Sequence, residues 1–190
     1  AWTRQVHGGS VQRADRPGCL GAADALWSDR PGLGLIGRSA DCPLVLVGMG
    51  GAHPVWGFAH ASWRSTVQGV TAALLAAMAG AGGDPARARV LIGPSAGPCC
   101  YEVGAEVRAA ARAQLGEAAL GFFTPRGARW ILDLWRANRA QLMAAGVPSG
   151  SITVAGVCTI CGTEYPSFRR QGAAAGRFAA IIGRPVAAQR

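Results

Sequence analysis

Lysine is absent from this chain. All 19 basic residues among its 190 are arginine, and beside 28 glycines and plentiful alanine that reads as GC-rich codon usage before chemistry. Acid is scarce as well, with 10 carboxylates and a net charge of +9. The arginines stand singly, Arg169 and Arg170 being the only adjacent pair, so no basic stripe forms and nucleic acid is set aside as a ligand. Small phosphate-bearing or phosphate-requiring substrates stay compatible with the charge. Three histidines, His7, His53 and His60, are too few for a multicopper cluster.

Uninterrupted apolar spans are missing too. Cys42 to Trp63 is uncharged but holds two prolines, two histidines and a Gly48–Gly51 turn cluster, which suits two buried strands. Ser65 to Gly83 is alanine-rich, with Val67, Val70, Thr71, Leu74, Leu75 and Met78 at the spacing of a core-facing helix. Neither reads as a membrane span. No internal repeat or long linker divides the chain, so residues 1–190 read as one soluble domain able to bury a real core. The six cysteines, Cys19, Cys42, Cys99, Cys100, Cys158 and Cys161, come without a leader pattern and read as reduced thiols or ligands rather than a disulfide framework. The chain starts at Ala1, which leaves a removed or upstream segment open.

Taken in order, Trp2 to His7 predicts a strand that ends at His7 before Gly8-Gly9. Val11 to Leu20 is polar and punctuated by proline and glycine, which predicts a mobile connection. Strands are expected at Ala23–Trp27, Leu44–Val47 and Val55–Ala59, and the last ends at His60. A helix follows Arg64 and closes at Asp84-Pro85. Arg89–Ile92 is a strand entering a loop with two Gly-Pro pairs, before a helix over Val103–Leu115, and a fixed loop at a helix start is a ready anion site. Trp130–Leu142 predicts an amphipathic helix with Asp133 and Asn138 either near a pocket or solvated, ended by Gly146 and Pro148. Ser151–Val157 is a buried strand. A helix or strand runs through Ile182, and Arg184 to Arg190 is an expected frayed end.

Chemistry concentrates at strand ends. His7, Cys42 and His60 offer two nitrogens and a sulfur and leave a fourth tetrahedral position for water, the pattern of catalytic zinc. Arg64 lies within about one helical turn of His60, where it can clamp an anion. A cysteine hydrolase is the rival reading, with Cys42 as nucleophile, His60 or His7 as base, and Asp41 or Asp24 orienting the histidine. Blue copper would need an axial methionine; Met49 is available, but a tight Cys-x-His-x-Met arrangement is not. A structural zinc on Cys99, Cys100, Cys158 and Cys161 has ligand spacing in Cys158-x-x-Cys161, against which adjacent Cys99 and Cys100 make a poor chelating pair.

The ordered motifs Gln5-Val6-His7-Gly8, Ala23-Asp24-Ala25, Ser39-Ala40-Asp41-Cys42-Pro43, Ala59-His60-Ala61-Ser62-Trp63-Arg64, Pro98-Cys99-Cys100-Tyr101-Glu102-Val103-Gly104, Asp133-Leu134, Ala137-Asn138, Cys158-Thr159 and Ser167-Phe168-Arg169-Arg170 resemble the YfiH family, also called the laccase-domain or polyphenol oxidase family. The resemblance covers essentially the whole chain. It implies an α+β fold, a four-layer α/β/β/α sandwich with mixed β-sheets in a single domain, here without the family's usual N-terminal strands. It implies a cytoplasmic, zinc-dependent purine nucleoside phosphorylase that takes adenosine, inosine, guanosine or methylthioadenosine with phosphate, and that also deaminates adenosine. The metal ligands it implies are His7, Cys42 and His60, with copper the lesser candidate. In that reading Cys42, His60 and Arg64 are catalytic, and Arg64, Arg169 and Arg170 hold phosphate. Zinc would lower the pKa of its water toward neutrality for attack at purine C6. The partners are a nucleoside and phosphate, without nucleic acid or membrane, in a monomer or homodimer. Family names also carry two other activities, a cysteine or zinc hydrolase editing peptidoglycan precursors and a copper polyphenol oxidase. This chain departs from the family's AHAGWRG by Ser62 and Ser65, which would cost stability or narrow the pocket if either glycine has positive φ or touches substrate. It also has Ala96 for an isoleucine and Gln171 for an acid.

Overall fold

The computed structural model describes residues 1–51 and 53–186. Its smaller sheet holds Trp2–Arg4 (β1), Cys19–Ala22 (β3), Leu35–Ser39 (β5) and Phe178–Ile182 (β13), in the order β13-β5-β1-β3. The larger is built from Val11–Arg13 (β2), Ala25–Ser28 (β4), Leu44–Gly51 (β6), Val55–His60 (β7), Gly83–Ile92 (β8) and Ile152–Val154 (β12), in the order β12-β8-β6-β7-β4-β2. Both are mixed: β1 runs parallel to β3 and β5, β2 parallel to β4 and β12 parallel to β8, while the remaining pairs are antiparallel. A third, antiparallel sheet joins Glu102–Val103 (β9), Phe123–Arg126 (β10) and Arg129–Leu132 (β11). The helices are Trp63–Val67 (α1), Val70–Gly80 (α2), Ala105–Leu115 (α3), Leu134–Ala144 (α4) and Phe168–Gln171 (α5).

Strand alternation builds two cores on the two faces of the larger sheet. Successive side chains of a strand point to opposite faces. Val45, Val47, Met49, Val55 and Ala59 therefore meet Leu74, Leu75 and Met78 of α2 and Leu142 of α4, while Leu26, Leu44, Trp56 and Phe58 meet Leu35 of the smaller sheet. Every residue of β7 is buried, because it is central and covered on both faces. Full burial of a side chain such as Phe58 or Leu44 contributes about 1.5–3 kcal/mol. A separate cluster of Tyr101, Val103, Val107, Phe123, Leu132 and Leu134 fastens the third sheet to α3. The mixed α/β expectation is met.

Several boundaries differ from the sequence expectation. The stretch from Val11 to Leu20 contributes β2 and the start of β3, short edge strands whose partners are remote in sequence. The helix after Arg64 is two helices, since Gly69 takes φ 74° between them. It ends at Gly80, and Asp84-Pro85 lies within β8. Trp130 and Ile131 are in β11, because Asp133 caps α4 by accepting a hydrogen bond from Arg136 N at 2.8 Å. After Arg177 the chain is a strand, β13. The expected frayed end at Arg184 to Arg190 falls largely outside the described residues.

Candidate metal centre

Three connections at one end of the two sheets deliver the site. His60 is the last residue of β7, in register with Leu44 at the start of β6. Cys42 sits in the turn between β5 and β6, tightened where Ser39 Oγ donates to the Cys42 carbonyl at 2.7 Å. His7 lies three residues beyond β1 rather than at its end, at φ 59°. One ligand atom from each of the three lies within 4.8 Å of the other two, and the two imidazole centroids are 5.1 Å apart.

Asp24 assembles this geometry. Its buried carboxylate accepts the backbone N–H of Val6 (3.1 Å), His7 (2.9 Å) and Gly8 (2.7 Å), which holds the His7 turn in its left-handed conformation. It also lies 2.9 Å from His60 Nδ1. An Nδ1–H donated to that carboxylate leaves Nε2 free, the usual way a carboxylate orients a metal-binding histidine. Burial opposes the charge on Asp24, but the His60 and backbone hydrogen bonds outweigh it and hold the carboxyl below its ordinary range. Desolvation and then the neighbouring His60 lower His7, which favours the neutral, ligand-competent imidazole. Burial, reinforced by Asp41 and Asp24, pushes the Cys42 thiol up to about 12. Without a cation Cys42 is thus a neutral thiol near pH 7 and a weak nucleophile.

The trio faces a cavity of about 880 Å³, within the range of small-molecule sites. Arg4, Arg38, Arg64, Arg169 and Arg177 line it, together with Trp63, Tyr101 and Phe168. The Arg64 guanidinium stacks 4.3 Å from the Trp63 ring centre, that of Arg169 4.8 Å from Tyr101 and that of Arg38 5.3 Å from Trp2, so three cations are set on aromatic faces at the wall. Asp41, at φ 97°, accepts from Thr159 Oγ1 (2.6 Å) and Arg169 N (2.7 Å) and is not the partner of either histidine. Arg170 lies elsewhere. Its guanidinium donates to the carbonyls of Thr159, Ile160, Gly162 and Tyr165, and it does not line the cavity. Asn138 is buried among Thr66, Thr71 and the Leu134 carbonyl, away from the cavity.

Ser62 and Ser65 carry no backbone strain. Ser62 is the N-cap of α1 at φ −55°, accepting Ser65 N at 3.1 Å, and the two hydroxyls are 2.7 Å apart. Ser62 borders the cavity and Ser65 does not. Sequence reasoning did not single out Arg4, Arg38, Arg177 or Tyr101 as wall residues. The sequence holds no local signal for the first three; Tyr101 sits in a quoted motif, but its neighbours there draw attention to the cysteines.

A mixed α/β fold with a two-histidine, one-cysteine donor set, a buried carboxylate behind it and an arginine-lined cavity in front is that of a candidate metalloenzyme. The chain matches, over residues 1–185, the family described as multi-copper polyphenol oxidoreductase laccase, and it belongs to that family. A purine nucleoside phosphorylase of Deinococcus radiodurans is 40% identical over 186 residues, covering 95% of this chain and 68% of that protein. One from Xylella fastidiosa is 35% identical over 187 residues, at 95% and 70%. An adenosine deaminase, RL5, from an unknown prokaryotic organism is 34% identical over 86% of this chain and 63% of its own length. The Bacillus licheniformis protein YfiH superposes with a TM-score of 0.89 at 32% identity, over 96% of this chain and 74% of its own.

Proposed function

We propose that this chain is a zinc-dependent purine nucleoside phosphorylase with adenosine deaminase activity. The observation that carries the reading is the convergence of His7, Cys42 and His60, backed by Asp24, at a cavity ringed with arginines. Relatives named for both activities, at 34–40% identity, support it. The donor set suits zinc, since nitrogen and sulfur ligands of this kind leave an open position in catalytic sites. When bound, the ion would supply Lewis acidity and a nucleophile at neutral pH.

The chain's own residues supply the rest. Asp24 fixes the His60 ring and the His7 turn. Arg64, Arg169 and Arg177 offer guanidinium groups for phosphate, whose bidentate recognition suits arginine. Arg169 and Arg177 each commit one terminal nitrogen to backbone carbonyls and keep the other, whereas Arg170 leaves this role because both of its terminal nitrogens are so occupied and it does not line the cavity. Phe168, 51% exposed and without an arginine stacked on it, provides an apolar face for a purine ring. None of the six cysteines is in a disulfide among the described residues, as a cytoplasmic setting would have it. No described helix is long and apolar enough to cross a membrane.

Metal-quantified protein incubated with adenosine, with and without phosphate, tests the reading by product analysis. Adenine and ribose 1-phosphate are expected only with phosphate, and inosine in either case. Zinc-loaded protein that makes neither adenine nor inosine would sink the proposal, and phenol oxidation by copper-loaded protein faster than by free copper would replace it with the oxidase reading.

A further inference from the structure

We propose that Cys99, Cys100, Cys158 and Cys161 form a second, structural metal site that binds Zn²⁺ as a tetrathiolate. The four sulfurs lie within 4.8 Å of one another, as a group separate from His7, Cys42 and His60. Cys99 Sγ and Cys161 Sγ are 3.6 Å apart. A tetrahedron with Zn–S bonds of about 2.3 Å has sulfur–sulfur edges of about 3.8 Å, so the thiols need little movement to close on an ion.

The backbone around them is shaped for that job. Gly97 N donates to Cys158 Sγ at 3.3 Å across the two loops. Such a donor orients a sulfur and offsets the negative charge it carries as a ligand. Gly162 N closes the turn on the Cys158 carbonyl at 3.0 Å, and a Cβ at Gly162 would stand 2.9 Å from that oxygen, so the position after the second cysteine requires glycine. Cys99 and Cys100 are not extended neighbours pointing to opposite sides. Cys100 N and Tyr101 N both bond to the Gly97 carbonyl, and this tight turn lets the adjacent thiols face one centre.

Exposure argues against ordinary packing, because Cys99 and Cys161 reach the surface and fill no core. Four thiolates would close the coordination sphere, as structural sites do, and their formation would release up to four protons per ion. The location gives the site its purpose. It would tie the loop after β8, which carries Tyr101 to the cavity, to the loop after β12, where Thr159 holds Asp41 beside Cys42. Ser95 already bridges these loops through Val157 and Thr159.

Metal analysis of protein purified without chelators should give two zinc ions per chain, one in Cys42→Ala and one in the Cys99→Ser/Cys161→Ser double variant. Cobalt bound to Cys42→Ala should show the sulfur charge-transfer and strong visible bands of a tetrahedral thiolate centre. Alkylation of the wild-type chain covers the case in which a variant misfolds. With zinc sulfate present, Cys99 and Cys161 should label about tenfold more slowly than exposed Cys19, and a chelator should remove the difference. Labelling of Cys99 and Cys161 at the Cys19 rate in zinc-loaded protein would overturn the proposal, as would a Cys99–Cys161 disulfide in fresh protein or cobalt bound without those bands. Each result is independent of turnover, so this site can fail while the phosphorylase reading stands, and the reverse.

Discussion

Asp24 joins two parts of the candidate metal centre through one buried carboxylate, binding three consecutive N–H groups of the His7 turn and the His60 ring. Asp24→Asn cannot reproduce this, since its amide nitrogen must face either the donors of Val6 and Gly8 or the His60 Nδ1–H. Zinc affinity should fall about 10–100-fold, the usual effect of losing such a partner, measured by competition with a chelator of known affinity. Unchanged affinity would remove Asp24 from the site's design. The serines are a different matter. Ser62→Ala deletes an N-cap and should cost about 1 kcal/mol in denaturant unfolding. Ser62→Gly should cost only a few tenths of a kcal/mol and leave kcat within about twofold, because Ser62 carries no backbone strain and its hydroxyl is held by Ser65 rather than turned free into the cavity it borders. A large gain in kcat would show that Ser62 crowds the substrate.

The helices that follow His60 show how far local pattern carries. From Val67 to Met78 the apolar spacing is helical throughout, and the break comes from one residue, Gly69, at φ 74°. Gly69→Ala should lower stability by about 1–2 kcal/mol in a thermal or denaturant melt, the cost of a left-handed residue with a Cβ. An unchanged midpoint would mean that the two helices can fuse. Strands such as β6 and β7 were legible as uncharged apolar runs, because both their faces are buried against named cores. Edge strands of three or four residues such as β2 and β3 were not, since parallel pairing with remote partners leaves no local signature. Trp130 and Ile131 matched a helical pattern that continues through Leu134, and only the cap at Asp133 stops the helix there. The grouping of His7, Cys42 and His60 was legible in another way, as rare residue types near strand ends, although their convergence depends on pairings such as Leu44 with His60. The cysteine cluster was half legible: Cys158-x-x-Cys161 has ligand spacing, but the turn that aims Cys99 and Cys100 together is a tertiary fact.

At the scale of the molecule, the net charge of +9 is directed as well as large. Five of the 19 arginines line the cavity at which His7, Cys42 and His60 converge, and Phe168 lines it too. Clefts lined by one sign of charge focus the field and raise the local concentration of an opposite ion. Phosphate and nucleoside should therefore respond differently to the same perturbations. Raising salt from about 0.05 to 0.5 M shortens the screening length from above 10 Å to below 5 Å and should raise KM for phosphate several-fold while leaving KM for the uncharged nucleoside nearly constant. Arg177→Ala should raise the phosphate KM about tenfold, equal to the loss of about 1.4 kcal/mol of a charge-assisted contact. Phe168→Ala should do the reverse, weakening nucleoside binding by about 1–3 kcal/mol of stacking with the phosphate KM held. Steady-state kinetics with each substrate varied at saturating levels of the other separates these outcomes. Equal changes in both constants for both variants would show that the arginines and the aromatic wall act on the fold rather than on two distinct parts of the substrate pair.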